Sequence, residues 1–237
     1  MSALTSPSAH STVDAPTVPP TRRPRGLLIA LAVVAPLAPL CQGLGYLLSP
    51  AGNSDDPLTI LGAVAGQPGL TAALGWLSLV IGLTLVPGVI ATGLAALPRA
   101  PRLATAALLV AVPGWAAGLL LPTAEPVAAA LLAAGVPNPE AVRLLGQLTS
   151  MDSPAAGVAV LIFVAGHVIG TVLLGLALYR ARAVPRPIAV LLALAQPLHF
   201  VAFVVLQNTY LDITAAWLTA IGFGFAAASL VRAAQTR

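Results

Sequence analysis

Two histidines stand among apolar residues: His167 in "VAGHVIG" and His199 in "LAQPLHFVAF". Each is thirteen residues from an arginine, His167 before Arg180 and His199 after Arg186. Trp115 follows Arg102 at the same interval. In a helix rising about 1.5 Å per residue, that interval spans about 20 Å, so the three side chains share one depth. Gln196, three residues before His199, is a ready partner for it. Imidazoles in such a place suit metal ligation, axial haem ligation or proton-linked handling of a substrate. Metal needs more than two ligands, and no Asp, Glu or Cys is expected at that depth. Bis-imidazole haem meets the residue count, but helices packed about 8–10 Å apart leave little room for a macrocycle. The structural alternative is a neutral ring that bonds Gln196, Trp115 or a carbonyl freed by proline. No metal and no cofactor is therefore expected. His167, His199, Gln196 and Trp115 form the candidate polar cluster, as a ligand site or a structural one.

Other chemistry is missing from the pattern. The chain has no H-E-x-x-H, no P-loop and no G-x-S-x-G. Neither Ser78 nor Ser229 is spaced to meet a histidine base. The expectation is a protein without catalytic residues.

The elements that must position the cluster are apolar. The chain is 58% hydrophobic and 8% charged, where soluble domains carry about a quarter charged residues. Too little polar surface exists to cover it in water, so its solvent is lipid. Its basic residues are all arginine, and they punctuate apolar runs without forming a basic face, which argues against a nucleic-acid partner. Richness in Ala, Gly, Pro and Arg without Lys fits a GC-rich bacterial genome. The single Cys41 excludes an intrachain disulfide, and Leu40 before it breaks a lipoprotein cleavage pattern.

Six uncharged runs predict an all-α bundle of membrane helices: 26–48, 70–97, 103–121, 155–179, 187–206 and 213–231. The first is too long for a signal peptide and lacks a small-x-small cleavage site. Residues 1–25 read as a disordered tail, with an inert His10, and 233–237 as a short second tail. Ten arginines fall on one side of these spans, with only Arg143 opposite. Asp55, Asp56, Glu125, Glu140, Asp152 and Asp212 fall on the opposite side, and no acidic residue is expected within a span. The positive-inside rule then places both termini in the cytoplasm of a bacterium, with the chain in its inner membrane.

Pro24-Arg25, Pro101-Arg102 and Pro185-Arg186 each open an odd-numbered span, and twelve residues after each proline comes Pro36, Pro113 or Pro197. With matched outer segments after spans one and three, this spacing predicts three parallel helical hairpins. Asp56-Pro57, Glu125-Pro126 and Asn138-Pro139 predict short outer helices that cap the bundle. Pro36, Pro39, Pro87, Pro113 and Pro197 predict kinks. Gly114-x-x-x-Gly118 and Gly166-x-x-x-Gly170 predict close packing of spans three and four.

The stretches "PRGLLIALAVVAPLAPL" and "GHVIGTVLLGLALYRARAVPRPIAVLLALAQPLHF", with the Asp-Asp-Pro segment between the first two spans, resemble six-pass actinobacterial membrane proteins grouped in domain-of-unknown-function families. The likeness extends over most of 22–232. It implies an inner-membrane location and supplies no catalytic residue. Three functions follow as expectations. The first is a non-enzymatic membrane partner, a sensor-like subunit or a binder of a small apolar ligand. The second is a permease for a neutral or apolar molecule. The third is a haem-binding redox protein. The lipid bilayer is the one certain partner, and a protein partner in the membrane fits the first.

Overall fold

A computed structural model of the chain describes residues 25–150 and 152–235. The tail before Arg25, with His10, lies outside them. The described residues form helices and no strand: α1 (Arg25–Val34), α2 (Leu37–Leu48), α3 (Pro57–Gly66), α4 (Pro68–Ala96), α5 (Pro101–Gly118), α6 (Ala124–Ala133), α7 (Asn138–Thr149), α8 (Pro154–Ala181), α9 (Arg186–Phe200) and α10 (Thr209–Gln235). A π-helical turn, Val201–Val205, extends α9.

Local chemistry sets these boundaries. Proline stands in the first turn of α3, α4, α5, α7, α8 and α9, where its missing N–H costs nothing. Asp56 caps α3 by accepting from the Thr59 N–H at 2.9 Å. Ser153 caps α8 by accepting from the Ala156 N–H at 3.1 Å. Asn208 caps α10, its side-chain oxygen accepting from the Tyr210 and Leu211 N–H groups at 3.1 Å each.

Five stretches are long and apolar enough to cross a membrane: Arg25–Leu48, Pro68–Ala96, Pro154–Ala181, Arg186–Val205 and Thr209–Ala233. The third expected span corresponds to α5, whose 18 residues include Arg102 and Pro113 and stop at Gly118, short of Leu121. Mid-helix side chains such as Trp76, Leu83, Leu109 and Leu161 are exposed by two thirds or more. Such a girdle is stable against lipid and would be an aggregation surface in water.

The long helices pack in a closed circuit. α2 meets α4, α4 meets α5, α5 meets α8, α8 meets α9, α9 meets α10, and α10 returns to α2. Small residues make this possible. Ala104, Ala107, Ala111, Ala177 and Ala189 have no exposed surface. At the α5–α8 crossing, Gly114 lies backbone to backbone with Gly166, and Gly170 lies against Ala111. A Cβ on Gly166 would stand 2.9 Å from the Gly114 nitrogen and 3.0 Å from the Val110 oxygen, so only hydrogen fits.

The prolines divide into two kinds. Pro36 separates α1 from α2, whereas Pro87, Pro113 and Pro197 lie inside α4, α5 and α9. Pro39 sits within the first turn of α2 and is buried. The Pro197 disturbance is followed at once by the π turn, where the Leu206 N–H reaches the Val201 oxygen at 2.9 Å. The three short helices α3, α6 and α7 pack on one another around a second core of Ile60, Leu61, Val64, Ala128, Ala141 and Leu145. Ser49 at the end of α2 donates to Glu125 of α6 at 2.5 Å, tying that layer to the bundle.

Candidate functional site: a buried histidine–aspartate cluster

α5, α8 and α9 bring three of the four expected residues together. The His167 and His199 rings meet at 5.7 Å between centroids, inclined at 68°. Trp115 stands edge-on to His167 at 5.3 Å. Phe163, one turn before His167, stacks on it at 4.2 Å. Tyr46 of α2 and Phe203 of the π turn stack on His199 at 6.2 and 5.9 Å. Trp115 and His167 are 3% and 2% exposed.

Gln196 is elsewhere. It is buried, but its amide nitrogen donates to the Thr219 hydroxyl of α10 at 2.9 Å, and Thr219 donates to the Ala215 carbonyl at 3.0 Å. Gln196 lies one turn before His199 on the same side of α9, and it meets α10 at Thr219, two turns beyond Asp212.

His199 has another partner. Its Nδ1–H donates to Asp212 Oδ1 at 2.5 Å, and Asp212 is 0% exposed. This corrects the expectation that every acidic residue lies outside the spans. Asn208 starts α10 at Thr209, four residues before the expected Ile213, and so draws Asp212 into the helix's first turn. A signal was present in the spacing. His199 and Asp212 lie on the two sides of the short connection 206–208, near the ends of two consecutive helical segments.

The hydrogen bonds assign the tautomers. His167 Nδ1 faces the Phe163 carbonyl at 2.7 Å, so it must carry the proton, leaving Nε2 as a bare lone pair. His199, donating through Nδ1 to a carboxylate, is in the same form when neutral. Five buried polar atoms around these helices have no hydrogen-bond partner among the described residues: Trp115 Nε1, His167 Nε2, Thr171 Oγ1, Gln196 Oε1 and Asp212 Oδ2. One is a donor, three are acceptors and the hydroxyl can serve as either. Unmade bonds of this kind are costly in a low-dielectric interior. Among the described residues no three His, Cys, Asp or Glu side chains are grouped to hold a metal.

The repeated positions are largely buried. Ala38, Trp115 and His199 each follow the Pro-Arg proline by fourteen residues. Ala38 and Trp115 are buried, and the His199 side chain is 13% exposed. Comparison with family models, curated proteins and solved structures found no match.

Proposed function

We propose that the chain is a six-span, non-enzymatic carrier that takes up a proton with a small solute at the His167–His199–Asp212 site. The observation that carries this reading is Asp212, wholly buried against His199, beside a second imidazole with an open lone pair. Ionisable groups inside a membrane helix bundle are costly and are retained chiefly where protons, ions or substrates pass. The open acceptors His167 Nε2 and Asp212 Oδ2 suit a solute that donates hydrogen bonds, which refines the neutral or apolar molecule expected from composition. Pro87, Pro113 and Pro197 each remove a backbone hydrogen bond inside α4, α5 and α9, which eases bending of those helices.

Two subsidiary readings belong with it. α5 serves as the sixth span, since its 18 residues cover about 27 Å at about 1.5 Å each. Both termini lie with the arginines on the cytoplasmic side of a bacterial inner membrane. A haem between the histidines fits poorly. An edge-to-face pair turns one ring's face, not its nitrogen, to the other, and Phe163 and Trp115 already cover His167. The reading as an interaction subunit rests on exposed apolar faces that lipid covers equally well.

Vesicles holding the purified full-length chain and a trapped pH dye test the proposal. Glycerol, urea, methylammonium and glycine are added singly under an imposed pH gradient. At least one should accelerate proton entry in wild type and fail to do so in D212N. Equal proton entry with and without every solute, in both proteins, overturns the reading.

A further inference from the structure

The arginine-bearing end of the bundle holds a cleft of about 410 Å³, lined by Leu103 of α5, Leu176, Tyr179 and Arg180 of α8, Arg182 after it, and Arg186 of α9. Its lining is ordered along the helix axis. Leu176 and Arg180 are one turn apart on the same face of α8, so the cleft passes from apolar to cationic within about 6 Å. Leu176 and Tyr179 are exposed by 46% and 41%, so the apolar half opens to the surrounding lipid. The three guanidinium groups are exposed and make no ion pair with a carboxylate among the described residues. Arg186 lies over the Tyr179 ring at 5.7 Å, which holds one charge at the mouth of the cleft. Arg182 ends α8 in the left-handed conformation, at φ 50°, a turn that brings the chain back toward Arg186.

The geometry points to a binding site for an anionic phospholipid, its phosphate among Arg180, Arg182 and Arg186 and the start of an acyl chain against Leu103 and Leu176. Arginine is suited to phosphate oxygens by its planar fork of donors. Basic pockets where membrane helices end take phosphate headgroups for the same reason. The apolar half of the cleft selects a lipid over a free phosphate. The inference is independent of the histidine–aspartate site.

The test is native mass spectrometry of the full-length protein released from detergent with phosphatidylglycerol, phosphatidylcholine of the same acyl chains, or inorganic phosphate. Phosphatidylglycerol should be retained preferentially. Each arginine should contribute roughly fivefold, so R180Q/R182Q/R186Q should lose the preference by a factor of ten or more. R180K/R182K/R186K should recover part of it, and R143Q, at the other end of the bundle, should leave it intact. A melting measurement on each variant in phosphatidylcholine separates lost binding from lost fold. Equal retention of the two lipids by wild type overturns the inference, as does unchanged preference in the glutamine variant. Inorganic phosphate bound as tightly as phosphatidylglycerol overturns it too, because the apolar half then selects nothing.

Discussion

Replacing His199 with leucine asks what the buried carboxylate of Asp212 requires. In the wild-type structure Asp212 is 0% exposed and its Oδ1 receives the His199 N–H at 2.5 Å. H199L removes that donor and leaves a buried carboxylate without it, a loss of about 3–5 kcal/mol. D212L leaves a neutral imidazole with one unpaired N–H, about 1–3 kcal/mol. Replacing both removes the pair together and should cost less than H199L alone, because apolar residues of similar volume tolerate this environment. The coupling energy of the cycle should therefore exceed the D212L cost, at least about 1 kcal/mol and above the ~0.6 kcal/mol averaged by polar contacts between membrane helices. The assay is equilibrium unfolding in mixed micelles, followed by helical circular dichroism, on the two single variants and the double. Additivity within about 0.5 kcal/mol would refute the reasoning.

Other expectations follow from single contacts. G166A should destabilise by about 1–3 kcal/mol, because a Cβ there meets backbone atoms of α5 that cannot turn aside. G157A, in the same helix with nothing within 4 Å, should be neutral or slightly stabilising in the same unfolding assay. P197A restores an N–H to α9, straightens it and re-registers the π turn, so the His199–Asp212 coupling should fall on that background. The Thr59 side chain and N–H hold the Asp56 carboxyl below the usual carboxylate range. A depressed folded pKa stabilises above the unfolded value near 4 and is lost as pH falls through the folded one. Hydrogen exchange in α3 should therefore quicken on acidification below about pH 4, and D56A should show that fraying at neutral pH without the acid dependence.

Much of the bundle is readable from one-dimensional patterns. Long apolar runs and first-turn prolines mark α4, α8, and α9 together with its π turn, to within about two residues, since lipid thickness and missing N–H groups act locally. α5 is harder, because Arg102 and Pro113 shorten its apolar stretch. The depth rule brings His167, His199 and Trp115 to one level, but rotation about each helix axis is tertiary information. Gln196, one turn from His199 along α9, bonds Thr219 at its own depth instead. Asp212 is hidden for a different reason. A charge at the end of an apolar run reads as a loop residue until the Asn208 cap and the π turn fix where α10 begins. The shared core of α3, α6 and α7 joins segments far apart in sequence, and no local period announces it.

Magic-angle-spinning NMR of the protein in lipid, with ¹⁵N-histidine and ¹³C-aspartate, tests the central claim most directly. The account predicts a through-space contact between His199 Nδ1 and the Asp212 carboxyl carbon. It also predicts that His167 carries its proton on Nδ1 with Nε2 unprotonated. Absence of the His199–Asp212 contact, or a His167 proton on Nε2, would contradict it.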